Sequence, residues 1–136
     1  MKQVYQIFPV GIVHKNDNLT ELEIHQKFSN ALLGLDSFSH IIVLYWFHKN
    51  DTPEKRSILQ VYPRKNQKNP LTGVFGTHAP VRPNLIAMSV CRIQSIASNR
   101  IRIDDIDAVD GSPVIDIKCF IPDKKSRPEL KVPGWV

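Results

Sequence analysis

A mainly β fold, closed as a barrel or packed as a sandwich, follows from three features of the sequence. Six or seven short runs carry β-branched and aromatic residues, only one segment has the spacing of a substantial helix, and proline and glycine break the chain throughout. Strand–helix alternation and a glycine-rich phosphate loop are both missing, which sets aside a Rossmann-type domain. The 136 residues suit one domain spanning 1–136, with a proline-rich tail from about 122 to 136.

Residues 3–13, QVYQIFPVGIV, predict an opening strand with a bulge or an edge at Pro9. HKNDN, 14–18, reads as a polar turn. Thr20 and Glu23 have capping-box spacing, whereas Leu22 and Ile24 alternate with charged neighbours as in a half-buried strand. The reading adopted is a strand to about Ile24, then a helix from about His25 to Leu33. Its apolar positions Phe28, Ala31 and Leu32 recur helically, and Gly34 supplies a left-handed cap.

HIIVLYWF, 40–47, is continuously apolar and predicts the strongest strand, covered on both faces. Lys49 to Asn69 reads as a loop, a short strand within SILQVY (57–62) and a second loop ending at Pro70. A short apolar run, Gly73 to Thr77, leads into a loop, and a long strand follows from Leu85 to Ile96. Asn99–Asp104 and Ser112–Ile121 alternate like strands with one exposed face, with Asp110-Gly111 as a tight turn between them. The tail is expected to run extended, with Trp135 as its apolar anchor.

Hydrophobic residues make up 42% and charged residues 23%, as in soluble globular proteins. No apolar run approaches the roughly 20 residues that cross a bilayer. The N-terminal stretch lacks a small-residue cleavage site, so the expectation is a cytoplasmic protein without a membrane partner. Cys91 and Cys119 are the only cysteines, sit in apolar runs and read as buried thiols. Net charge is +5. Lys49, Lys55, Arg56, Arg64, Lys65 and Lys68 crowd the middle, and Lys124, Lys125, Arg127 and Lys131 the tail. Asp104, Asp105, Asp107, Asp110 and Asp116 cluster between. Basic segments beside an acidic pocket suit RNA around a small-molecule site, and ordinary solvated loops are the plainer alternative.

Pro80 and Pro83 fix their own φ angles and push the residues before them toward extended conformations. A stiffened loop carrying His78, Arg82 and Asn84 reads as a binding loop. Nucleophile elbow, phosphate loop, zinc spacing and triad are all lacking. The five histidines form no i, i+4 pair, and the aspartates lack the closing glutamate of a calcium loop, so no metal is expected. His48, where the strong strand meets solvent, is a better site candidate than the strand's interior. The residues alone support a β-rich domain with one rigid loop and one acidic turn, either of which suits a ligand.

Those same residues carry a resemblance. FSHIIVLYWFH (38–48), GVFGTHAPVRPNLIAMS (73–89) and DAVDGSPVIDIKCFIP (107–122), with the opening PVGIVH, resemble the TsaA-like (TrmO) family over nearly the whole chain. The resemblance implies a small antiparallel β-barrel that forms homodimers. It also implies methyl transfer from S-adenosylmethionine to the exocyclic amine of threonylcarbamoyladenosine beside the tRNA anticodon. By position, Phe47, His48, Met88 and the segment Asp107, Ala108, Val109, Asp110 match residues lining the cofactor pocket, and His78 falls at a further pocket position. Arg82, Pro83 and Asn84 match the RPN core of the signature. For Arg82 three partners stay open: the cofactor carboxylate, a tRNA phosphate or a structural partner. The alternative function is an S-adenosylmethionine-binding barrel without tRNA methyltransferase activity, or one with another acceptor.

The chain departs from the family pattern at three places. Thr77, His78, Ala79 and Pro80 replace T-R-S-P, exchanging an always-charged bidentate donor for an imidazole ring. RPNPIG becomes RPNLIA, with Leu85 and Ala87, and DIKPY becomes DIKCF, with Cys119 and Phe120.

Overall fold

The computed structural model describes residues 2–123, 127 and 129–136, so Lys124 and Lys125 of the basic tail lie outside the described residues. Among the described residues eight strands occur: β1 (Gly11–Asn16), β2 (Leu19–Ile24), β3 (His40–Trp46), β4 (Gln60–Val61), β5 (Thr72–Gly73), β6 (Ile86–Ala97), β7 (Arg100–Ile103) and β8 (Pro113–Cys119). One short α-helix, α1, spans Pro53–Arg56. The chain divides into two compact units, Met1–His48 with Ile86–Phe120, and Lys49–Leu85 with Ile121–Val136.

In the first unit the strands close as an antiparallel barrel in the order β1-β2-β7-β6-β3-β8. Alternation dictates what fills it. Val13, Leu22, Ile24, Ile41, Val43, Tyr45, Ala87, Cys91, Ile101, Ile103 and Val114 point inward and are buried, joined by Ile106 and Ala108 from the segment before β8. The β1–β2 register Gly11↔Ile24 brings the backbones so close that a Cβ on Gly11 would lie 2.4 Å from the Glu23 carbonyl oxygen. Asn99, buried at the β6–β7 turn, donates its amide to the Ile24 carbonyl at 2.6 Å and tethers that turn to β2.

Several expectations need correction. The opening strand begins at Gly11, not near residue 3, because β8 offers β1 partners only at Gly11 and Ile12. Val4, Tyr5, Ile7 and Phe8 are therefore exposed, and Phe8 stacks on Phe28 at 5.9 Å. The 14–18 turn shrinks to Asp17 and Asn18, since Asn16 pairs with Leu19. The helix expected from His25 to Leu33 is a 3₁₀-helix over Gln26–Leu32. There the Ser29 hydroxyl donates to the Gln26 carbonyl at 2.8 Å, and local side-chain bonds of this kind compete with α-helical pairing. Gly34 does take a left-handed φ of 83°, but it opens the next 3₁₀ turn, Leu35–Ser37.

In β3 only the inner residues are fully buried, and His40, Ile42, Leu44 and Trp46 are half-covered, as a barrel exterior requires. Strands β7 and β8 do not pair with each other: β7 lies between β2 and β6, and β8 between β1 and β3. The turn at Gly111 (φ 85°) forms nonetheless, inside a crossover rather than a hairpin. Cys91 is buried, and desolvation pushes its thiol up to about 12, whereas Cys119 is only half-buried.

The second unit is loop-rich. The expected strand within 57–62 shortens to Gln60–Val61, which pairs with Thr72–Gly73, and a 3₁₀ turn, Val74–Gly76, follows. The unforeseen helix α1 is capped by Thr52, whose side chain accepts from the Lys55 amide at 3.1 Å, with proline in its first turn. Arg127 pairs with Asp123. Among the described residues the tail holds no regular element, and Trp135 is half-buried. Among the described residues no helix is long and apolar enough to cross a membrane.

Candidate functional site

Register gathers three segments at one rim of the barrel. Trp46 pairs with Ile86, and Tyr45 pairs with both Ala87 and Val114. The end of β3, the start of β6 and the start of β8 therefore lie side by side. Phe47 and His48 follow directly from β3, Met88 lies near the start of β6, and Asp107–Asp110 lead into β8.

Phe47 packs against the core and meets Tyr45 edge-on, with ring centroids 5.9 Å apart. Burial pushes the Tyr45 phenol above its ordinary range. A hydrogen bond with Ser89 opposes the rise, and the charge of Asp107 adds to it. His48 is half-buried. Met88 lies on the outside of the barrel, 55% exposed, in a row with Ile86 and Val90. Ala108 is buried and joins the core cluster, so it fixes the segment while its neighbours Asp107 and Val109 stay exposed.

A residue that sequence reasoning missed holds this segment. The amide of Lys15, on β1, donates to Asp110 Oδ1 at 2.8 Å, and Lys15 Nζ bonds the Ile106 carbonyl and lies 3.4 Å from Asp105 Oδ1. The Ile106 amide and Lys15 together hold the Asp105 carboxyl below its ordinary range. At the far end, the Gly111 amide donates to the Val13 carbonyl at 2.8 Å, and the Ser112 hydroxyl donates to the Val109 carbonyl at 2.7 Å. Of the two aspartates assigned to the pocket, Asp110 is engaged by the fold. Asp107 makes no hydrogen bond or ion pair among the described residues.

The proline loop belongs to the second unit and is braced from within. Arg82 Nη1 donates to the carbonyls of Thr77 (3.2 Å) and Ala79 (3.1 Å), one on each side of His78. Of the three partners left open for Arg82, a structural one, its own loop, is what these contacts supply. His78 is exposed, with no side-chain partner among the described residues. Arg56, on α1, reaches the same loop: Nε donates to the Pro83 carbonyl at 2.8 Å and Nη2 to Asn84 Oδ1 at 3.4 Å, while Nη1 lies 3.3 Å from Asp51. Asn50 Nδ2 donates to the Pro80 carbonyl at 3.0 Å. The signal for this support was legible, since Thr52-Pro53-Glu54 is a helix start, but its target was not.

The donor set at the barrel rim fits an adenosine-bearing ligand. Asp107 offers a free carboxylate for ribose hydroxyls, and Phe47, Met88 and Val109 offer apolar surface for a purine. Among the described residues no group of three metal-ligating side chains occurs.

The family described as tRNA-methyltransferase O N-terminal domain matches residues 6–125. A Methanocaldococcus jannaschii protein named a probable S-adenosyl-L-methionine-binding protein is 50% identical over 117 residues, covering 86% of this chain and 93% of its own. The mouse protein named tRNA (adenine(37)-N6)-methyltransferase is 37% identical over 103 residues, covering 76% of this chain and 23% of its own. The crystal structure of TrmO from P. aeruginosa superposes with a TM-score of 0.74 at 26% identity over 99% of this chain, which spans 63% of that structure.

Proposed function

The chain belongs to the tRNA-methyltransferase O N-terminal domain family, and from that premise we propose that it is a cytoplasmic S-adenosylmethionine-dependent tRNA methyltransferase. Its acceptor is the exocyclic amine of threonylcarbamoyladenosine next to the anticodon. The observation that carries this reading is the rim itself: Asp107, without a hydrogen bond or ion pair among the described residues, sits on a segment fastened at both ends, at the rim where the end of β3 and the start of β6 also lie.

When bound, S-adenosylmethionine supplies a methyl group made electrophilic by its sulfonium. The protein's share is then positioning and exclusion of water rather than a covalent nucleophile. Asp107 would accept hydrogen bonds from ribose hydroxyls, and Phe47, Val109 and Met88 would supply apolar surface for the purine. Asp110 and Ala108 hold the segment in shape. Arg82, Pro83 and Asn84 form a stiff loop that carries His78, the position where the family carries arginine. The proton of the acceptor amine leaves after transfer, so no strong base is required in advance.

The homodimer implied by the family is part of this proposal. The outer row Ile86, Met88 and Val90, paired with Trp46, Leu44 and Ile42, is the apolar face that a second copy would cover. Incorporation of labelled methyl into tRNA, with and without the threonylcarbamoyl modification, tests the function. Transfer to the modified tRNA alone is expected. Good cofactor binding with no transfer to any tRNA would leave the S-adenosylmethionine-binding module in its place.

A further inference from the structure

From Lys55 to Ile103 the sequence contains no aspartate or glutamate. Within the second unit's share of that stretch stand Lys55, Arg56, Arg64, Lys65, Lys68 and Arg82. The structure divides these cations by duty. Arg56 holds Pro83 and Asn84, Arg82 braces its own loop, and Lys55 Nζ donates to Asn50 at 3.2 Å. Arg64, Lys65 and Lys68 are exposed, and their side chains bond to no described residue.

All three lie on the connection between β4 and β5, residues 62–71, with Tyr62, which is 42% exposed. The backbone there is unusual. Arg64 (φ 58°) and Lys65 (φ 55°) are consecutive left-handed residues, a conformation that disfavours any side chain but suits glycine. The corner is nonetheless held. Pro63 is buried, and its carbonyl accepts from Asn69 Nδ2 at 2.8 Å and from the Asn66 amide at 3.2 Å. The Lys65 amide donates to the Tyr62 carbonyl at 3.1 Å, and the Lys68 amide to Asn66 Oδ1 at 3.0 Å. Long cations thus occupy a braced corner where glycine would fit with less strain, and no carboxylate neutralises them.

We infer that this corner grips RNA, with Arg64, Lys65 and Lys68 on backbone phosphates and Tyr62 as a stacking platform for one unpaired base. The inference deepens the tRNA reading and rests on it for the identity of the polyanion. An exposed aromatic among three cations offers the stacking surface and the phosphate contacts that an unpaired stretch of RNA takes.

The test uses the full chain and unmodified and modified tRNA. In the triple variant Arg64→Gln, Lys65→Gln, Lys68→Gln, the logarithmic salt slope of tRNA binding should fall by about two to three, because each phosphate contact carries about 0.7 to 0.9. Affinity at low salt should drop on the order of 10- to 100-fold for every tRNA, with S-adenosylmethionine affinity within about twofold of wild type. Tyr62→Ala should weaken binding roughly 5- to 100-fold with little change of slope.

The double variant Arg64→Gly, Lys65→Gly relieves the backbone. It should melt no lower than wild type yet bind tRNA more weakly, which separates a binding duty from a structural one. Unchanged slope and affinity in both multiple variants would overturn the inference. Loop-dependent tRNA binding without methyl transfer would uphold the grip while removing the catalytic reading. Absence of tRNA binding in the wild type, with retention on anionic vesicles, would overturn the grip and assign the corner to lipid.

Discussion

The main-chain amide of Lys15 donates to Asp110 Oδ1 at 2.8 Å, joining positions 95 residues apart. With Lys15 Nζ on the Ile106 carbonyl, this one residue of β1 fastens both ends of the segment that carries Asp107. Lys15→Met keeps the amide and removes the ammonium. Loss of the hydrogen bond to Ile106 should lower stability by about 1 kcal/mol. S-adenosylmethionine affinity should fall about three- to tenfold in calorimetry, because the carboxylate is no longer pre-positioned.

Arg56 holds the proline loop through Pro83 and Asn84. Arg56→Lys keeps the charge but lacks the planar fork, so it should not substitute. The expected result is a loss of about 1–2 kcal/mol in chemical denaturation. Faster amide exchange over residues 81–86 should accompany it, with exchange in β1 and β2 unchanged.

Gly11 tests the closeness of β1 and β2. A Cβ there meets the Glu23 carbonyl at 2.4 Å, and at Gly134 it meets nothing within 4 Å. Gly11→Ala should destabilise by about 1–3 kcal/mol, as overpacking does, and Gly134→Ala should leave the melting temperature unchanged.

Much of the barrel was readable because alternation and β-branched composition survive folding. His40 to Trp46 and Ile86 to Ala97 were expected almost at their observed bounds. The failures share one cause, since a strand needs a neighbour that sequence does not display. Val4 to Phe8 have a strand-like composition but pair with no strand among the described residues, so they stay out of the sheet. Among the site residues, the types near Asp107 and Arg82 drew notice. Lys15 did not, and Arg56 stood out only as one of a basic cluster, because the groups they hold lie 91–95 and 27–28 residues away. Asp107 and Asp110 are indistinguishable as letters, and only the Lys15 amide sorts the free carboxylate from the engaged one.

Glu23 predicts a pH dependence. Its hydrogen bond to His14 (2.8 Å) and then the charge of Arg100 hold its carboxyl below the ordinary range. A lowered carboxyl contributes stability above its unfolded value, near 4.5, and loses it as pH falls through the folded one. Melting temperature should therefore drop below about pH 4.5 in wild type. Glu23→Gln should start lower at pH 7 and decline less steeply on acidification.

Equilibrium dialysis of labelled S-adenosylmethionine against wild type and Asp107→Ala is the most direct test of the rim as the cofactor site. The exposed Asp107 can be truncated without disturbing the core, and affinity should fall on the order of tenfold or more, as expected for a charged hydrogen-bond acceptor. Wild-type affinity in a folded Asp107→Ala protein would contradict the account.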